Sequence, residues 1–219
     1  MSSFFYYLGA AGDSALSVFG IRAPYEQPKY NVVGQLADGV EIRTYGQRVA
    51  VETPMRAGND GEAFGRLFRY ITGANHGDAK IAMTVPVEMA PQPIAPQHLA
   101  MTVPVEMTSD QVMRFFLPKA VVAKGPPKPT DPLVHLVTLP PQEFAVLRFS
   151  GTVTDDSRAK HEKALLAAVT GAGRHPEGAP ALLSYDPPFA LPFVRRNEVA
   201  VRLDDAAPAA SPAPQSPSE

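Results

Sequence analysis

Between residues 40 and 52 the chain reads VEIRTYGQRVAVE, apolar and polar positions alternating around a turn near Gly46 and Gln47. Period two marks half-buried strands. A helix is expected next: Asn59 is placed to cap it, and Glu62, three residues on, to reach back in a capping box. Phe64, Leu67, Phe68 and Ile71 then recur at helical spacing, and Gly73 stands where a helix commonly ends. Strands are expected over 80–89, 99–107 and 112–117. The plan then repeats. Strands over 134–139 and 144–150 flank the turn at Pro140 and Pro141, and a helix follows, capped by Asp155, Asp156 or Ser157. Its apolar stripe is Leu165, Leu166 and Val169, it stops at Gly171 or Gly173, and strands follow over 181–185 and 198–203. Neither half buries a core alone, so the pattern predicts one α+β domain with internal pseudo-symmetry. The segment KGPPKPTDP at 124–132, short and stiffened by proline, joins the halves.

Three regions follow: an N-terminal arm over 1–29, a folded domain over 30–205 and a tail over 206–219. The tail, AAPAASPAPQSPSE, has almost no large apolar side chain and is expected to be disordered. The arm is cut by Gly9, Gly12, Asp13 and Gly20 and has no basic residue before Arg22, so it fits neither a secretory signal nor a spanning helix. Phe4, Tyr7 and Leu8 of the arm are placed to dock on the body or on a membrane surface. The cytoplasm is the default location.

Composition changes the picture in three ways. A chain of 219 residues with 45% hydrophobic and 19% charged residues and a net charge of −2 is an ordinary soluble globular chain, with no electrostatic footprint for nucleic acid. Cysteine is absent, which excludes disulfides, thiolate metal sites and thiol nucleophiles. Proline, at 24 residues, is about twice average usage, and most of it lies before the tail.

The most specific motif is AMTVPVEM, which occupies residues 82–89 and recurs at 100–107. As strands, the two copies would place Met83, Val85, Val87 and Met89, with Met101, Val103, Val105 and Met107, on one face, either as core or as the wall of a pocket for a flat apolar ligand. A proline-rich loop would join them as a hairpin. Pro86 and Pro104 donate no ladder hydrogen bond and predict an edge, a bulge or a distorted sheet. Glu88 and Glu106 hold equivalent positions on the opposite face.

These residues carry a resemblance. KIAMTVPVEM at 80–89, its partner repeat, MRFFLPK at 113–119, YDPP at 185–188 and RRNEV at 195–199 resemble, in order, the SOUL haem-binding protein family. The resemblance implies a distorted antiparallel β-barrel flanked by two helices, built from two pseudo-symmetric halves. It also implies fold kinship with bacterial effector-binding domains of the GyrI-like type. The implied ligand is haem or another tetrapyrrole, and the implied role is that of carrier, buffer or delivery factor. The implied site is an apolar groove beside the first helix with basic side chains near the propionates. Carried onto this chain, that site comprises Phe64, Leu67, Phe68 and Arg69 of the helix, with Phe189, Phe193, Arg195 and Arg196 of the facing loop. Core packing competes for the phenylalanines and leucine, and hydrogen bonding to backbone carbonyls competes for the loop arginines. Some family members carry a histidine where Thr44 stands, so the axial-ligand candidates are His76 and His98, with no protein axial ligand as the leading expectation. No Gly-x-Ser-x-Gly elbow, phosphate loop or dinucleotide fingerprint is present, and catalysis is not expected. The alternatives are an effector-binding or interaction module for another planar apolar ligand, and an enzyme, haem-dependent or otherwise, on the same scaffold.

Overall fold

The computed structural model describes residues 22, 25–55, 60–91, 111–187 and 190–204. Its strands are β1 (Tyr30–Gln35), β2 (Glu41–Tyr45), β3 (Arg48–Met55), β4 (Val87–Pro91), β5 (Gln111–Phe116), β6 (His135–Leu139), β7 (Gln142–Phe149), β8 (Pro176–Ser184) and β9 (Asn197–Leu203). The helices are α1 (Asp60–Ile71), α2 (Lys119–Lys124) and α3 (Asp155–Gly171). The strands form one antiparallel sheet in the order β1-β2-β7-β9-β8-β4-β5-β3-β6. Each long helix follows one strand and precedes two, giving the spatial runs β3-β5-β4 and β7-β9-β8, which meet where β4 pairs with β8.

Strand alternation divides the side chains between two faces. Toward the helices, Val51, Met55, Met113 and Phe115 pack beneath Ala63, Leu67, Tyr70 and Ile71 of α1. Ala145, Leu147, Val199 and Val201 pack beneath Leu165, Ala168 and Val169 of α3. Toward the other face point Arg43, Tyr45, Arg48, Glu88, Arg114, Phe116, Phe144 and Glu198, and most of these are buried as well.

Burial of a face that no long helix covers requires the sheet to curl. It does: the guanidinium of Arg48 on β3 lies 5.2 Å from the Phe144 ring on β7, although four strands separate β3 from β7 in the sheet. Among the described residues no ladder completes the ring, and the expected barrel is corrected to a curled, open sheet.

Of the two repeat copies only the first lies within the described residues. Residues 87–89 pair with β5 on one edge and β8 on the other, Val87 facing both Phe115 and Ser184, so both edges of this stretch are taken. Pro86 stands just before β4, where its missing N–H costs no ladder bond. The cap of α3 is Thr154, whose Oγ1 accepts from the Ser157 N–H at 3.2 Å. Sequence patterning gave no sign of β1 or of the short α2. Among the described residues no helix is long and apolar enough to cross a membrane.

Candidate functional site

On α1 the buried stripe is Ala63, Leu67, Tyr70 and Ile71, rotated from the expected one. Leu67 has no exposure at all and belongs to the core, out of reach of any ligand on the surface. The rotation leaves Phe64 36% and Phe68 44% exposed. Their rings stack, with centroids 5.9 Å apart and planes inclined by 14°, and Phe64 meets the buried Phe115 edge-on at 5.2 Å. The pair is therefore a fixed aromatic platform rooted in the core. Arg69 follows it with a side chain 63% exposed, 3.8 Å from Asp131.

The loop between β8 and β9 divides its predicted residues. Phe193 projects into solvent, 74% exposed. Arg195 donates from Nε to the Ala190 carbonyl at 2.9 Å, a structural role. Arg196 turns inward, donating to Glu198 from Nε at 2.9 Å and Nη2 at 2.7 Å while stacking on Tyr185. α1 packs on β3 and β5, whereas the loop is tied to Arg22 through Asp186 and Val194, and to Gly151. The two segments are thus anchored on different parts of the sheet. Phe189 and His98 lie outside the described residues. His76 is exposed after α1, its backbone N–H bonded to Lys128. His161 on α3 stacks on Phe149 with centroids 4.0 Å apart. Among the described residues no three His, Asp or Glu side chains gather as a metal site.

The inner face of the sheet holds a network that sequence reasoning missed. Glu198 is fully buried; Arg43 grips it with two bonds, at 2.8 and 3.2 Å, and the Tyr185 hydroxyl donates to it at 2.8 Å. Burial pulls the Glu198 carboxyl up, but bonds and charge from Arg43 and Arg196 outweigh it and hold the group below its ordinary value. The Tyr185 hydroxyl is pushed well up by burial and by that carboxylate. Nearby, Arg114 pairs with Glu52 at 2.7 Å and Glu88 at 3.4 Å. Glu88, a polar-face residue of the repeat, is thus a buried ion-pair partner.

Beside this network opens a cleft of about 700 Å³, bounded by residues 26–31, the β2–β3 turn, Phe116, Leu117 and α2. Its inner end adjoins a small cavity of about 20 Å³ walled by Tyr45, Glu88, Phe144 and Tyr185; Arg48 and Phe116 line both.

A profile of the SOUL heme-binding protein family matches residues 25–202, most of the chain. The chain belongs to the SOUL family. In SOUL terms, the match begins at Tyr25, within the segment assigned to the arm, and Glu26 there bridges to Thr84 of the first repeat copy. No curated relative matches the sequence. Among solved structures, an EcmrR–DNA complex resembles this SOUL chain with a TM-score of 0.50 at 9% identity, over 92% of this chain and 63% of that one. The EcmrR C-terminal domain gives 0.49 at 9% identity over 80% and 98%, and a hydrolase from Listeria innocua 0.47 at 12% over 75% and 91%. At such identities the first is a likeness of fold alone.

Proposed function

We propose that the protein binds haem or another tetrapyrrole and serves as its carrier, buffer or delivery factor. Family membership supports the ligand class. The observation that carries the site is the part-exposed, stacked Phe64–Phe68 pair with Arg69 beside it. Such a platform fits a flat apolar macrocycle, and a guanidinium held among the described residues only by a long contact to Asp131 can turn to a propionate. Phe64 and Phe68 would hold the ring and Arg69 a carboxylate; iron, if present, would add redox and ligand-exchange chemistry. Phe189 and Phe193 are proposed as a second apolar contact, and the two halves as related by pseudo-symmetry, which the matching runs β3-β5-β4 and β7-β9-β8 support. His76 is the described candidate for the iron, and we place no protein ligand ahead of it.

Haemin titration followed at the Soret band tests this. Saturation at one haemin per chain in the submicromolar range is expected; a weak, non-saturating rise would sink the proposal. Arg69→Glu should weaken binding about tenfold, or about 1.4 kcal/mol, without loss of folding. His76→Ala should leave the Soret position where it was.

A further inference from the structure

Arg48 is unlike the other arginines of the inner face. Arg43, Arg114 and Arg196 each meet a carboxylate at 2.7–2.8 Å. Among the described residues no carboxylate comes within 4.0 Å of Arg48. Its one described hydrogen bond runs from Nη2 to Gln142 at a long 3.4 Å. Its Nε is buried and has no hydrogen-bond partner among the described residues. The guanidinium is held instead by rings, 4.5 Å from the centroid of Tyr45, 5.2 Å from Phe144 and 5.3 Å from Phe116. Stacking fixes its position but leaves most of its five N–H donors unused. Burial accordingly lowers the Arg48 pKa, against the pull of Glu88.

The residue stands where the cleft of about 700 Å³ meets the inner cavity. That size lies within the range of about 300–1,000 Å³ usual for small-molecule sites. Val49, Leu117 and Val122 give the cleft an apolar wall; Lys29 and Lys119 add positive charge, against Glu26, which accepts from the Lys119 backbone N–H at 3.1 Å. Glu88, the acid nearest the inner end, is engaged by Arg114. An anion entering from the cleft side therefore meets Lys29, Lys119 and Arg48 before Glu88.

We propose that this cleft is a binding site, separate from the α1 platform, for an organic monocarboxylate with an aromatic body, its carboxylate anchored by Arg48 and its rings against Phe116 and the apolar wall. A carboxylate there supplies the charge-assisted bonds that Arg48 lacks, in a place where an unpaired cation is costly. The site does not depend on the tetrapyrrole assignment.

The test is fluorescence titration of the full-length protein with 1-pyrenebutyrate and with 1-pyrenebutanol, its uncharged analogue. The acid should bind saturably, one per chain, and at least tenfold more tightly than the alcohol. Arg48→Met should remove that preference, and Phe68→Glu, which breaks the α1 platform, should lower haemin affinity while leaving the acid bound as before. Equal binding of acid and alcohol would overturn the proposal, as would acid binding that survives Arg48→Met or is lost in Phe68→Glu. Should Arg48→Met fail to fold, the acid–alcohol comparison on the unaltered chain, with Lys119→Glu as the cleft variant, still decides: an acid preference that Lys119→Glu weakens supports the site, and no preference rejects it. Failure of haemin to bind would remove the tetrapyrrole proposal and leave this one standing.

Discussion

Glu198 shows how one side chain can be read wrongly from its neighbours in sequence. In RRNEV the two arginines look like surface cations available to a ligand, yet Arg196 is spent on Glu198 and Arg195 on a backbone carbonyl. Removing one partner of a buried ion pair leaves the others uncompensated. Glu198→Gln should therefore cost about 3–5 kcal/mol in urea unfolding at neutral pH. A change below 1 kcal/mol would show that Arg43 and Arg196 find other acceptors. The same residue sets an acid limit. Its folded-state pKa lies below the ordinary 4.5, so its contribution is complete above that value and is lost as pH falls through the lower folded one. Unfolding free energy should drop below about pH 4.5, with a shallower slope in Glu198→Gln. At the alkaline end, burial pushes Tyr70 up to about 12, so the stability it lends is present below its ordinary value of 10.0 and is lost as pH rises through 12.

At the scale of elements, α1 separates packing from function along a single turn. Its sequence carries apolar residues on more than one stripe, and periodicity alone selects Phe64, Leu67, Phe68 and Ile71. The sheet beneath selects Ala63, Leu67, Tyr70 and Ile71 instead, because Tyr70 finds a partner for its hydroxyl in the Pro127 carbonyl at 2.8 Å and the small Ala63 allows close approach to β3 and β5. Two variants one turn-step apart should then behave differently. Leu67→Ala should destabilise by about 2–5 kcal/mol, as expected for a fully buried leucine. Phe68→Ala should cost far less stability and mainly weaken haemin binding, read by parallel urea and Soret titrations. Similar losses of stability in both would place Phe68 in the core. Among the strands, β2, β3, β5, β7 and β9 were legible from alternation and turn residues. The strand expected over 80–89 forms only at its end, 87–89, within β4, since 81–86 reads like a strand but pairs only at Thr84, in an isolated bridge with Glu26.

For the whole molecule, local pattern determined which segments become strands and helices, that they follow one another twice in the same order, and that the chain lies in the SOUL family. These properties rest on period, turn chemistry and short motifs, all written within a few residues of one another. What the sequence did not determine is everything that depends on which distant segments meet. The sheet was expected to close and is open, yet it curls enough to bring β3 against β7. That curl buries a face of arginines, glutamates and tyrosines whose alternation had marked them as solvent-facing. Pairing across 155 residues between Arg43 and Glu198 then satisfies their charges, and the absence of such a partner for Arg48 among the described residues singles it out. Periodicity reports that a side chain points away from the helices. Only the tertiary fold decides whether water, a counter-charge or a ligand is waiting there, because that depends on strands adjacent in space and remote in sequence.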